Sequence, residues 1–137
     1  LMVLAESLGV ADVVDFLGAR EQSVLADYYA ASTAVIMPSD YESFGMVALE
    51  AMASGTPVIA SQVGGLAYLV RDNETGYLVP SREPQLLAAR IHHLITQPNE
   101  QERLARNAAN LAKHYAWPRI VDKLLAAFSE MISTRTR

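Results

Sequence analysis

The sequence predicts a doubly wound α/β fold, in which a Rossmann-like parallel sheet is flanked by helices. The first observation is that short, continuous apolar runs alternate with segments of helical spacing as far as Val79. Continuous apolar strands are typical of parallel sheets that are buried on both faces. The second observation is that the pattern becomes purely helical beyond Pro80. In this fold class ligands bind outside the carboxyl ends of the strands, so the loops there are the first places to look for function.

Each element has its own signals. Strands are predicted at residues 13–17, 34–37, 57–60 and 77–79, where apolar runs are closed by Gly, Pro or polar turn residues. Helices are predicted at residues 1–8, 21–31, 44–53, 66–70, 84–96, 98–115 and 117–132, with a frayed end at 134–137. Gly9 ends the first helix, and Pro84 and Pro98 are placed as first-turn prolines.

Composition limits the function classes. With 137 residues, 51% of them hydrophobic and 19% charged, the chain has the composition of one globular domain. There is no Cys, which excludes disulfides and thiolate metal sites and makes the cytoplasm the expected compartment. The net charge of -4 and the lack of a Lys/Arg run argue against binding to nucleic acid. Because the chain does not begin with Met, we expect it to be a piece of a longer protein.

The loop between the 34–37 strand and the 44–53 helix contains the most informative residues. Ser43 is predicted as the helix N-cap, which leaves backbone amides near Gly45 pointing outward. Such amides and the helix dipole together favour an anion, and Gly45 has no Cβ to keep a phosphate away. Glu42 lies before the helix and Glu50 lies about 9 Å along its axis, counted from Phe44. Carboxylates accept hydrogen bonds from paired hydroxyls, so a sugar, a diphosphate and a ribose would match this layout.

Residues 38–50, together with the segments 51–60, 63–65 and 73–79, resemble the nucleotide-sugar-binding domain of retaining group 1 (family 4) glycosyltransferases, which have the GT-B fold. The resemblance covers nearly the whole chain. It is closest to bacterial sugar and inositol-phosphate glycosyltransferases, including sucrose-phosphate synthase relatives. It implies a parent enzyme that transfers a hexosyl group from a nucleotide diphosphate sugar to an unknown hydroxyl acceptor with retention, peripheral to a membrane in some cases.

The resemblance also implies site residues. Glu42 would contact donor-sugar hydroxyls, and it is the catalytic candidate; a role as covalent nucleophile is the less favoured alternative. Glu50 would hold the ribose hydroxyls. The full set of implied donor-binding residues is Glu42, Ser43, Phe44, Gly45, Met46, Val47, Glu50, Gly64 and Gly65. Neither a metal nor another cofactor is expected, since the three histidines lie on late helices without Cys or clustered acids.

The chain departs from the family pattern at two levels. Many members follow the Gly-Gly pair with Pro-Glu where this chain has Ala67-Tyr68, so a helical acid is missing. The family's catalytic unit has two Rossmann-like domains, and residues 1–137 look like a single partial domain, the second. The acceptor domain and the first strands, with their diphosphate-binding Arg and Lys, would precede Leu1. We therefore expect the 137-residue chain to be inactive alone.

The missing strands would also leave the 13–17 strand without a neighbour and expose the edge of the 34–37 strand. We expect these two strands to pair directly, or a second copy to cover the edge by dimerisation or strand exchange.

Several alternatives remain open at this point. The parent could be a sugar-nucleotide epimerase of the same architecture, or a non-catalytic protein that binds nucleotide or serves assembly. Gly64 and Gly65 could form a structural turn or contact the ligand. Trp117 is predicted as a packing anchor for the last helix rather than as a sugar platform.

Overall fold

The computed structural model describes residues 1–135 of the chain. Within them, three parallel strands form one sheet in the order β1 (Val35–Met37), β2 (Val58–Ser61) and β3 (Gly76–Val79). The helices are α1 (Met2–Ser7), α2 (Gln22–Ala31), α3 (Met46–Ala53), α4 (Leu66–Leu69), α5 (Pro84–Thr96), α6 (Pro98–Ala112) and α7 (Trp117–Arg135). Short 3-10 helices lie at Ala11–Val13 and Lys113–Tyr115.

The sheet is buried on both faces, which confirms the predicted α/β class. The central strand β2 is fully buried, and its side chains alternate between two apolar clusters. Val58 and Ala60 pack in the cluster that α3, α4 and the end of α6 cover. Ile59 packs in the other cluster, with Tyr77 of β3 and Leu94 of α5. Because strands and helices alternate along the chain, the loops that follow β1, β2 and β3 all lie at one edge of the sheet.

The predicted strand at residues 13–17 is wrong. The structure has a 3-10 helix at Ala11–Val13 and then chain without regular secondary structure, and the Val13 side chain is 76% exposed. The prediction of direct pairing fails with it, since β1 is hydrogen-bonded to β2 alone among the described strands. A β-rich run gains little from an extended conformation when no neighbouring strand completes its hydrogen bonds. Coverage of the β1 edge by a second copy stays a prediction.

The last helix extends away from the sheet. Helix α7 packs mainly on the 3-10 helix at Lys113–Tyr115, and the apolar side chains of α7 are largely exposed. Trp117 is 76% exposed, so the prediction that it anchors the helix by packing is wrong. Of the predicted frayed end, Thr134 and Arg135 belong to α7, and residues 136–137 lie outside the described residues. In residues 1–135, no helix combines the length and the apolar character that crossing a membrane would need.

Candidate functional site

The loop after β1 leads into α3 through a left-handed glycine. Gly45 has a φ of 96° and is the N-cap of α3, which begins at Met46. Ser43 is exposed and is not the N-cap, so that prediction is wrong: the left-handed residue places the helix start beyond the position that the serine could cap. The amides of Met46 and Val47 belong to the first turn of α3 and have no acceptor inside the helix. The helix end therefore presents amides at the carboxyl end of the sheet.

The carboxylate of Glu42 is hydrogen-bonded to two backbone amides next to this helix end. Its Oε1 accepts hydrogen bonds from the amides of Phe44, at 3.3 Å, and Gly45, at 3.2 Å. Both distances are long for bonds to a charged acceptor, so these are weak bonds. The structure thus places a carboxylate where the sequence predicts the ligand's phosphate.

Gly64 and Gly65 pack against the backbone of the same loop. The amide of Gly65 donates to the carbonyl oxygen of Glu42 at 2.9 Å. A Cβ on Gly64 would come within 2.0 Å of that oxygen, and a Cβ on Gly65 would come within 2.4 Å of the Phe44 Cα. The two glycines therefore allow the loops after β1 and β2 to touch, a structural role that sets the shape of the site.

Glu50 is held by two side chains of α2. Its Oε1 accepts a hydrogen bond from Gln22 Nε2 at 3.1 Å, and its Oε2 accepts one from the Tyr29 hydroxyl at 3.3 Å. Burial raises the pKa of Tyr29, and the nearby Glu50 carboxylate raises it further, so the tyrosine stays a neutral donor. Since a carboxylate can accept about four hydrogen bonds, Glu50 retains capacity for ligand hydroxyls.

A pocket of about 390 Å³ opens beside Glu50. Residues of α2, α3, α6 and the start of α7 line it, and Tyr115 and Trp117 are its aromatic members. The ring of Phe44 meets that of Tyr115 edge-on, with 6.0 Å between their centroids. The exposed side chains at this end of α3 are therefore continuous with a concave and largely apolar surface.

An ion pair joins two loops at the same edge of the sheet. Arg82, which follows β3, donates from Nε and Nη2 to the two carboxylate oxygens of Asp40, at 3.1 and 2.9 Å. Hydrogen bonds from Arg82 and its charge lower the pKa of Asp40. Both side chains are well exposed, so the pair is worth little to stability. It links the loop after β3 to the loop that leads to Glu42.

The structure gathers most of the predicted site residues at one end of α3. Glu42, Ser43, Phe44, Gly45, Met46 and Val47 are consecutive there, Gly64 and Gly65 abut them, and Glu50 lies further along the helix. Gln22 and Tyr29, which hold Glu50, were not predicted from the sequence. Their spacing of two helical turns on α2 was a signal for one shared helix face, although nothing in the sequence showed that this face meets α3.

Metal ligands do not gather in the described part of the chain. Residues 1–135 contain no group of three or more His, Asp or Glu side chains arranged to hold a metal ion. The groups gathered at the candidate site are backbone amides, the carboxylates of Glu42 and Glu50, and apolar walls.

Comparisons with known proteins identify the family of the chain. The chain is 44% identical over 134 residues to a D-inositol 3-phosphate glycosyltransferase of Streptomyces bingchenggensis, with 98% of this chain and 29% of the relative covered. It is 47% identical over 130 residues to one of Actinosynnema mirum, with 95% and 31% covered. The chain thus spans about 30% of the length of these relatives.

Solved structures show the same fold. A sucrose-phosphate synthase of Thermosynechococcus elongatus matches with a TM-score of 0.88 and 36% identity, over 96% of this chain and 33% of that one. HepE of Anabaena, solved in complex with UDP-glucose, matches with a TM-score of 0.79 and 32% identity, over 95% of this chain and 35% of that one. The family model described as glycosyl transferases group 1 matches residues 1–111. The chain belongs to the group 1 glycosyltransferase family.

Proposed function

We propose that this chain provides the donor site of a retaining glycosyltransferase that moves a hexosyl group from a nucleotide diphosphate sugar to a hydroxyl acceptor. The observation that carries the proposal is that Glu42 and Glu50 flank the amide-bearing start of α3. The similarity to HepE, which was solved with UDP-glucose, supports a nucleotide sugar as the ligand.

Each part of the donor has a matching group. The diphosphate would lie at the amides from Phe44 to Val47, where the α3 dipole favours negative charge. The ribose hydroxyls would donate to Glu50, and the hexose hydroxyls to Glu42. Ser43 would line the mouth of the site, and Gly64 and Gly65 would hold its wall close without side chains.

Retention is proposed to proceed by front-face departure of the diphosphate, with attack by the acceptor on the same side. Such a path needs stabilisation of the leaving charge more than a protein nucleophile, and the α3 amides are suited to that task. Retaining glycosidases use two carboxyl groups about 5 Å apart. Here Glu50 lies about 6 Å along α3 from its first residue, Met46, and Glu42 lies further away still, in the loop before that helix. This separation supports a binding role for both carboxylates.

Acceptor binding is proposed to lie outside residues 1–137. The relatives are about three times as long, and we propose that their remaining length supplies acceptor binding, so that the 137-residue chain is inactive alone. We also propose that no metal is needed, since the amides and α3 dipole offset the diphosphate charge. A cytoplasmic location is consistent with the absence of cysteine.

Isothermal titration calorimetry with UDP, GDP and ADP sugars tests the donor site. We expect one of them to bind with a Kd of about 1 mM or tighter. Glu50→Ala removes the ribose acceptor and should weaken that binding about tenfold or more, because bonds to a charged group are lost. Glu102→Ala is the matched control, since Glu102 lies on the exposed face of α6 and pairs with Arg106. Equal affinities for the Glu50 variant and the control would contradict the assignment.

A further inference from the structure

Glu42 bonds to amides that the proposed donor would need. In the structure its Oε1 accepts from the amides of Phe44 and Gly45, immediately before the first turn of α3. An incoming diphosphate and this carboxylate are both anions that seek the same donors, and they repel each other at close range. They cannot share the two amides, so donor binding requires the carboxylate to leave.

The surroundings let the side chain leave without moving the backbone. The Glu42 carbonyl oxygen is fixed by the Gly65 amide at 2.9 Å, and Gly64 lies directly against that oxygen. Among residues 1–135, the carboxylate is held by the two weak bonds at 3.2 and 3.3 Å alone, and the residue is half-buried. Rotation about the side-chain torsions is therefore sufficient to free the amides.

We propose that Glu42 is an exchangeable occupant of the diphosphate amides and that it makes the site select sugar-bearing donor over the free nucleoside diphosphate. This inference depends on the proposed function. When a nucleotide sugar enters, the displaced carboxylate finds hexose hydroxyls that donate to it. When the nucleoside diphosphate enters without a sugar, the displaced carboxylate is left beside the terminal phosphate, and no hexose hydroxyls are present to donate to it. Glu42 thus weakens binding of the product that remains after transfer and favours its release.

Titration of the chain with UDP and UDP-glucose tests the exchange. Glu42→Gln keeps the side-chain size but removes the charge, so its oxygen competes less strongly for the two amides and the repulsion disappears. We expect the variant to bind UDP roughly tenfold more tightly than the unsubstituted chain, and its preference for UDP-glucose over UDP should fall by a similar factor. The control Glu102→Gln removes one negative charge on α6, away from the site, and should leave both affinities unchanged.

The outcomes that overturn the exchange are distinguishable from failure of the donor site. If both proteins bind UDP and UDP-glucose with the same ratio of affinities, the exchange is overturned while the donor site stands. If UDP binds the Glu42 variant more weakly than the unsubstituted chain, the exchange is likewise overturned. If neither nucleotide binds either protein, with the fold verified by circular dichroism, the donor-site proposal fails and the exchange fails with it.

The displacement can also be tested by chemical shifts, without measuring binding affinities. In ¹H–¹⁵N spectra, the Phe44 and Gly45 amides should shift on Glu42→Gln in the free protein, since they lose a charged acceptor. On addition of UDP, the same two resonances should converge between the two proteins, because the phosphate then replaces the carboxylate. Resonances of Phe44 and Gly45 that differ as much between the UDP-saturated proteins as between the free proteins would contradict the displacement.

Discussion

Replacing Gly65 with Ala tests whether the close contact of two loops builds the site. Gly65 has an ordinary helical φ of -62°, so the substitution adds no backbone strain, and its whole effect comes from the new methyl group. That Cβ would lie 2.4 Å from the Phe44 Cα and 2.6 Å from the carbonyl oxygens of Ser43 and Phe44. Ordinary contact begins at 3.4 Å, so the loop has to retreat by about 1 Å.

The expected cost follows from these contacts. Overpacking against backbone costs about 1–3 kcal/mol, and loss of the bond from the Gly65 amide to Glu42 adds about 1 kcal/mol. We therefore expect the free energy of unfolding to fall by about 2–4 kcal/mol and Tm to fall by about 10 °C. Denaturant unfolding followed by circular dichroism measures the free energy, provided that the transition is two-state.

Gly55→Ala is the matched control. Gly55 has a φ of 80°, and no atom lies within 4 Å of the position that a Cβ would take. Alanine there brings strain without a clash, at a cost of about 1 kcal/mol. If Gly65→Ala proved no more destabilising than Gly55→Ala, the idea that the loops are held by contact at Gly65 would be refuted.

Two further predictions concern hydrogen-bonded carboxylates. Tyr29→Phe removes the hydroxyl that donates to Glu50 Oε2, so we expect UDP to bind about threefold to tenfold more weakly in calorimetry. Binding of 2′-deoxy-UDP should be affected less. An equal loss of affinity for both nucleotides would argue that Glu50 does not hold the ribose. Hydrogen bonds from Arg103, and then from Tyr77, lower the pKa of Glu100 below its ordinary value of 4.5. The Glu100 carboxylate therefore contributes fully to the free energy of unfolding above about pH 4.5, and this contribution is lost as the pH falls through the lowered pKa. We expect Glu100→Gln to make the free energy of unfolding fall less steeply with decreasing pH in the acid range. Denaturant titrations that give the same dependence on acid pH for the variant and the unsubstituted chain would contradict this prediction.

Much of the fold was predictable because local and global signals agree. The runs at β1, β2 and β3 are apolar and closed by Pro, Gly or polar residues, and the first-turn prolines of α5 and α6 start both helices where expected. The strand at residues 13–17 was mispredicted because its composition favours a strand while no strand among residues 1–135 pairs with it. A strand depends on a neighbour, and local composition cannot supply one.

The sequence predicted which residues gather at the site better than it predicted their backbone conformation and hydrogen bonds. The sequence placed Glu42, Gly45 and Glu50 around one helix start, and the structure keeps them there. It could not show that Gly45 is left-handed, which excludes Ser43 as N-cap, or that Glu42 would bond to the neighbouring amides. These details depend on the loop after β2, because Gly65 fixes the backbone of Glu42 from a distant part of the sequence.

Binding of a nucleotide sugar at the start of α3 can be observed residue by residue in a ¹H–¹⁵N titration of the chain with UDP-glucose. We expect the largest shifts at the amides of Phe44, Gly45, Met46 and Val47, with Glu50 and Tyr29 also affected. Saturable shifts confined to another surface, such as the exposed face of α7, would contradict a donor site at this helix end.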